Sequence, residues 1–321
     1  MSEIVIGVGA SHTTLMNTRW DEVDHLEGAH AFRDGLATAA AAIAEADVDL
    51  LLVVGTNHFR GFWLDLMPAF TFGVGEVISA GEHGTPSGPQ PVEPGTALAL
   101  CEAVMDEGFD LAFSARLDID HGISHAIQYL APDGVPIVPI VVNTLAPPLP
   151  TLERSLHLGE AVARAVAALP GDRRVAVVGT GGLSHRLPFP DWRAPDGDDD
   201  EFLVESWMNG RGDWKRYEQR RRDIVVAAPS EINQDFDRTF LDDVAVGTLD
   251  RLPDRLSAAD VVTRAGIGAN EIRTWLVMSA ACGHAPARIV AYAPIDQWLT
   301  GMAVAIVDRP TPSPTPNGAP T

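Results

Sequence analysis

Asp49-Leu50-Leu51-Leu52-Val53-Val54-Gly55, running straight into Thr56-Asn57-His58, sets the fold class of this chain. Leu50 to Val54 are all aliphatic with no polar alternation, which describes a strand buried on both faces, the kind found inside a parallel sheet. Residues 4–9, with Ile4-Val5-Ile6-Gly7-Val8, have the same character. Between the two, Phe32, Leu36, Ala40 and Ile43 recur at helical spacing, so a βαβ unit with a right-handed crossover is expected.

The pattern extends outward on both sides. A helix is expected near 95–107, strands near 109–115 and at 136–142, a helix at 151–169, and a strand at Arg174-Val175-Ala176-Val177-Val178. Apolar strands return at 288–293 and 301–307. The expected fold is α/β, with a central mainly parallel or mixed sheet flanked by helices, in one domain over 1–309. A mainly helical insert is expected at about 196–265, entered through the acidic loop Asp196-Gly197-Asp198-Asp199-Asp200-Glu201. The closing Pro-rich segment, 310–321, is expected to be a disordered tail, because repeated proline supports neither ladder nor helix bonds.

With 321 residues and 46% hydrophobic content the chain has ample material for a sizeable core. Its 23 basic and 44 acidic residues give a net charge of −21, which disfavours nucleic acid and anionic membrane surfaces as partners. Cys101 and Cys282 stand apart in apolar stretches, without the spacing of a zinc site or a disulfide framework. No leader-like start and no apolar stretch of about 18 residues is found, so a cytoplasmic protein is expected.

Four of the ten histidines fall just past the carboxyl end of an expected strand. His12 follows 4–9, His58 follows 49–55, His121 follows the strand near 109–115 through Asp118-Ile119-Asp120, and His185 follows 174–178 through a glycine-rich turn. At that edge of an α/β sheet the loops converge and ligand sites form. His25, His30, His83, His125, His157 and His284 lack the placement and are read as bystanders, although His125 is close enough in sequence to His121 to border the site.

Two imidazoles and one carboxylate on one face of an Fe(II) ion leave open positions that a catechol and O2 can fill. A base for the second hydroxyl proton and an acid for the later bond cleavage are then needed, and histidine suits both. The residues alone leave open which two histidines bind metal, and which of Asp49, Asp65, Asp118, Asp120, Glu231 and Glu271 completes the set.

Five ordered segments carry a resemblance: Ala10-Ser11-His12, Asn57-His58-Phe59-Arg60-Gly61-Phe62, Asp120-His121-Gly122, Gly181-Gly182-Leu183-Ser184-His185 and Asn270-Glu271-Ile272-Arg273-Thr274-Trp275. Together they resemble the class III extradiol ring-cleavage dioxygenases over about 4–307, most of all the branch acting on 2,3-dihydroxyphenylpropionate. The resemblance implies that His12, His58 and Glu271 hold Fe(II), that His185 is the base and that His121 is the acid. It implies meta cleavage of 2,3-dihydroxyphenylpropionate or another 3-substituted catechol by O2, in aromatic degradation, by a homo-oligomer. Glu271 would fall in the first turn of a helix expected at 270–283.

Arg60 stands beside the second ligand where relatives carry a small polar residue. A guanidinium there suits either a substrate carboxylate or a structural ion pair, and both readings stay open. Two alternatives share the fold: ring cleavage of a 2-aminophenol, gallate-type or protocatechuate-type substrate, and a non-enzymatic Memo-type metal-binding interaction protein. Presence of both His121 and His185 beside a full ligand set speaks against the last.

Overall fold

The computed structural model describes residues 1–311, so the expected Pro-rich tail lies, from 312 onward, outside the described residues. The first half runs β1 (Glu3–Ala10), α1 (Leu15–Thr18), α2 (Glu27–Glu45), β2 (Leu50–Thr56), β3 (Phe70–Ala80), β4 (Ser87–Pro89), α3 (Pro94–Asp106), β5 (Ala112–Ile119), α4 (His121–Leu130) and β6 (Ile137–Val142). The second runs α5 (Leu152–Ala168), β7 (Arg174–Thr180), α6 (Asp198–Asn209), α7 (Trp214–Ala227), α8 (Gln234–Val246), α9 (Leu252–Arg255), α10 (Ala258–Ala265), α11 (Ile272–Ala281), β8 (Arg288–Ile295) and β9 (Thr300–Val307).

Nine strands form one mixed sheet in the order β4-β3-β6-β2-β7-β1-β9-β8, with β5 paired to β3. The middle strands β6, β2, β7 and β1 are parallel neighbours, and β3 and β9 run antiparallel on either side of them. All seven residues of β2 are buried, and the alternation inside the apolar run now has a purpose. Leu50, Leu52 and Val54 pack under α3, α5 and α11, whereas Leu51 and Val53 face α2 and α4. Each such side chain contributes roughly 1.5–3 kcal/mol of burial. Because β7 lies between β1 and β2, the loops that follow these three strands leave the sheet side by side.

The sheet holds two strands that the apolar pattern does not reveal, β3 and β4, and it moves a third. The expected strand near 109–115 is observed at Ala112–Ile119. As an edge strand it exposes one face, so the charged Arg116 and Asp118 alternate with buried Leu117 and Ile119 instead of ending it.

β3 touches β6 only through Phe70–Phe72 and then diverges with β5, through a register irregularity between Gly73 and Glu76. A Cβ on Gly75 would collide with the Ala115 carbonyl oxygen, so the tight crossing there requires glycine. Beyond it Val77, Leu117 and Ile119 are buried with Leu51, Val53, Ile137 and Val141, which lays this ribbon across one face of the sheet. The end of β5 therefore reaches the carboxyl edge of β2 although β5 runs antiparallel to it in ladder sense.

Residues 198–265 contribute α6 to α10. Asp198 to Glu201, read from sequence as loop, form the first turn of α6, where carboxylates favour the positive end of the helix dipole. Phe59 and Trp207 stack at 4.6 Å and 7°, inside a cluster with Trp63, Ala146 and Leu203 that fastens α6 to the loop after β2. Among the described residues no helix is long and apolar enough to cross a membrane.

Candidate metal centre and cleft

His12 leaves the end of β1, and its Nδ1 lies 2.8 Å from the Thr180 hydroxyl at the end of β7. After β2, the Asn57 side-chain oxygen accepts the backbone N–H groups of Gly61 at 3.1 Å and Phe62 at 3.0 Å. That Asn-centred turn places Phe59 at a φ of 63° and leaves His58 facing inward. Asp120 caps α4 by accepting from Gly122 N at 2.9 Å, and its carboxylate also takes His58 Nδ1 at 3.2 Å. Nδ1 of His58 therefore carries the proton toward Asp120, and Nε2 is turned to the centre.

Glu271 approaches from the far side. Its Oε2 accepts the Gly182 backbone N–H at 2.6 Å, while Oε1 lies 3.1 Å from His58 Nε2 and 3.7 Å from His12 Nε2. The 3.1 Å approach is off hydrogen-bond geometry; among the described residues Glu271 Oε1 and His12 Nε2 are both buried without a hydrogen-bond partner. Glu271 is not in the first turn of an α-helix as expected. It closes a short 3-10 turn at Gly268–Glu271, and α11 starts one residue later. Its carboxylate is oriented by the Gly182 amide, not by capping a helix.

Three donor atoms thus converge with two of them unsatisfied, an arrangement that fits a metal ion. His12, His58 and His121 also bring ring nitrogens within 4.8 Å of one another, so His121 competes with Glu271 for the third position on distance alone. Charge and partnership favour Glu271: its orphaned oxygen is anionic, whereas His121 Nδ1 already donates to Glu82 Oε1 at 2.6 Å.

Burial pushes the His12 imidazole down to about 4. Burial acts the same way on His58, but the Asp120 and Glu271 carboxylates outweigh it and raise that group to about 10. Glu271, despite a burial that opposes its charge, is held at about 2 by His12 and His58.

His121 begins α4 and stacks on His58 at 3.9 Å between ring centres. Burial, followed by the charge at His58, holds it well below the usual histidine range. Its placement past the end of β5 owes nothing to the parallel sheet edge; the folded β3–β5 ribbon and Asp120 deliver it. His185 donates Nδ1–H to the Leu183 carbonyl at 2.8 Å, so Nε2 is the free basic nitrogen. A Cβ on Gly268 would strike the His185 ring, which sits flat on that backbone.

His12, His58, His121, His185 and Glu271 line one cleft with about 870 Å³ of empty space, including its open mouth. Sequence reading missed two of its neighbours, Glu82 and His83, and placed a third, His125, only as able to border the site. Glu82, after β3, takes both the ring and the backbone N–H of His121. His83, read as a bystander, lies 3.3 Å from Glu218 on the cleft wall. His125 lies 6.0 Å from His121 and 6.2 Å from His12, ring to ring, with both nitrogens buried and without a hydrogen-bond partner among the described residues.

Arg60 makes ion pairs within the cleft. Its guanidinium lies 2.9 Å from Glu82, 2.5 Å from Glu218 and 4.0 Å over the Trp214 ring. Of the other carboxylates considered from sequence, Asp49, Asp65 and Glu231 pair with Arg173, Arg211 and Arg186, and Asp118 is exposed on β5.

Residues 7–303 match the family described as the catalytic LigB subunit of aromatic ring-opening dioxygenase. A Rhodococcus sp. protein named 2,3-dihydroxyphenylpropionate/2,3-dihydroxicinnamic acid 1,2-dioxygenase is 34% identical over 305 residues, covering 92% of this chain and 95% of its own. Proteins of the same name are 34% identical over 313 residues in Rhodococcus jostii (strain RHA1) and 33% identical over 289 residues in Azotobacter vinelandii (strain DJ / ATCC BAA-1303). The Rhodococcus jostii match covers 92% of this chain and 95% of that protein, and the Azotobacter match covers 85% and 90%.

Proposed function

Because the chain belongs to the LigB family of aromatic ring-opening dioxygenases and is an extradiol dioxygenase, we propose that it cleaves a 3-substituted catechol, first of all 2,3-dihydroxyphenylpropionate, with Fe(II) held by His12, His58 and Glu271. The observation that carries the ligand assignment is the pair of orphaned buried donors, His12 Nε2 and Glu271 Oε1, facing His58 Nε2. Fe(II) bound there supplies an acidified catechol hydroxyl and an electron path to O2.

The chain's own groups supply the proton handling. The Leu183 carbonyl fixes the His185 tautomer, so Nε2 takes the hydroxyl proton as general base. Glu82 accepts Nδ1–H of His121 and fixes its tautomer, so Nε2 is the nitrogen turned to the cleft, from which a proton taken up during turnover is returned to the substrate as the ring opens. Leu187, Phe189, Leu203 and Val225 wall the cleft and exclude bulk water from these transfers. Homo-oligomeric assembly belongs to the proposal on the strength of the resemblance alone, and sedimentation sizing tests it.

The test is anaerobic loading with Fe(II), addition of 2,3-dihydroxyphenylpropionate, then air. Stoichiometric O2 uptake with a yellow semialdehyde-type product is expected. Bound iron with no O2 uptake would turn the assignment toward a metal-binding interaction protein, and turnover confined to 2-aminophenol or gallate would replace the substrate.

A further inference from the structure

Three guanidiniums, those of Arg60, Arg221 and Arg222, face the cleft beside two carboxylates, Glu82 and Glu218. Arg60 is shared between both carboxylates, and Arg222 donates to His83 Nδ1 at 2.9 Å and to Thr18 Oγ1 at 3.0 Å. Arg221 is left over. Among the described residues it joins no ion pair; Nη2 donates to the His58 carbonyl at 3.2 Å and Nη1 is buried with no partner.

We infer that Arg221 receives a carboxylate on the side chain of the ring substrate, so that this enzyme selects arylalkanoates over uncharged catechols. The inference rests on the ring-cleavage proposal above and names the anion-binding residue within that cleft.

The physical case begins with cost. A guanidinium only 9% exposed, with an unmet N–H and, among the described residues, no carboxylate within ion-pair distance, carries a desolvation penalty that an incoming carboxylate relieves through charge-assisted hydrogen bonds. Burial pulls Arg221 down to about 10, which still leaves it cationic at neutral pH. The bond to the His58 carbonyl holds the guanidinium next to a proposed metal ligand, within reach of a substituent on a ring held at the centre. Val225 and Val226, on the same helix α7, and Leu187 and Phe189 give apolar walls for a short methylene linker. An apolar linker ending in an anion matches that order of surfaces. Because the chain as a whole carries −21, an anionic substrate gains nothing from the long-range field and depends on this local cation.

The experiment compares 2,3-dihydroxyphenylpropionate with 3-propylcatechol, reading the ratio of kcat/KM, and titrates 3-phenylpropionate calorimetrically. In the wild type the ratio is expected at about a hundredfold in favour of the carboxylate, the range of a desolvated charge pair. Arg221→Gln should bring it to about 1, and Arg221→Lys should keep roughly tenfold, having charge without the fork. 3-Phenylpropionate should bind Arg221→Gln at least about tenfold more weakly than wild type. An unchanged ratio in Arg221→Gln, or equal binding of 3-phenylpropionate, overturns the inference. If Arg221→Gln does not fold, the same two readings on Arg221→Lys decide. A wild type that cleaves neither catechol but binds 3-phenylpropionate through Arg221 removes the ring-cleavage proposal and leaves the anion site standing.

Discussion

Asp120 holds His58 twice, taking the ring Nδ1 at 3.2 Å on one carboxylate oxygen and the backbone N–H at 2.5 Å on the other. The same side chain caps α4, so the orientation of a proposed ligand and the start of the helix bearing His121 share one anchor. Asp120→Asn is expected to weaken metal binding by about 10–100-fold, the usual effect of removing a carboxylate behind a ligating histidine. Asp120→Ala adds the loss of a helix cap, about 1 kcal/mol. Metal titration and thermal unfolding of the two variants separate the effects, and metal affinity unchanged in Asp120→Asn would refute this role.

Metal loading should expel a proton. In the metal-free protein His58 is raised to about 10, so below that pH it carries a proton that a metal must displace from Nε2. Affinity is then expected to climb about tenfold per pH unit from 6 to 9 and to level off near 10, since Glu271, held at about 2, is already ionised. Calorimetry in buffers of different ionisation enthalpy counts the proton, and a pH-independent affinity over that span would contradict the assignment.

Gly268→Ala places a methyl group against the His185 ring. A displaced base is expected to lower kcat by about 10²–10⁴-fold, the share that general base catalysis supplies. Metal content should stay at the wild-type level, because the backbone change is on the His185 side of the turn. Joint loss of iron and activity would show that the 3-10 turn before Glu271 had collapsed instead.

Removing Arg60 uncovers two carboxylates. Arg60→Met is expected to destabilise the fold by roughly 3 kcal/mol, since breaking one side of a buried pair leaves charge uncompensated. Glu82, 7% exposed, would suffer most, and through it His121. A denaturant midpoint within error of wild type would show that Arg60 is not the structural counter-ion described.

Much of the fold was legible because the middle strands β6, β2, β7 and β1 are buried on both faces and advertise themselves as apolar runs. β3 was hidden by Gly73 and Gly75, which depress any strand pattern, and the register irregularity falls between Gly73 and Glu76. Glu82 was hidden with it, because a residue after an unread strand has no reason to be singled out. His12, His58 and His185 were reachable by counting past strand ends, and His121 was reached by the same count although its own strand runs the other way. Glu271 follows no strand, so only the motif around it drew notice. Arg60 drew notice for the right reason, an unusual cation in the cleft, but the counter-ions that occupy it come from residues 82 and 218, far away in the chain.

On α7, Glu218, Arg221 and Arg222 occupy successive turns of one helix face, all three lining the cleft. Adding or deleting one residue ahead of them would rotate the whole set by about 100°, removing the counter-ion of Arg60 and the cations of the cleft in a single event. Point substitutions carry no such linkage. Lineages diverging from this chain are therefore expected to conserve the length of α7 between Trp214 and Glu218 while exchanging individual side chains along that face, and drift in ligand preference should be recorded there by replacement, not by insertion or loss.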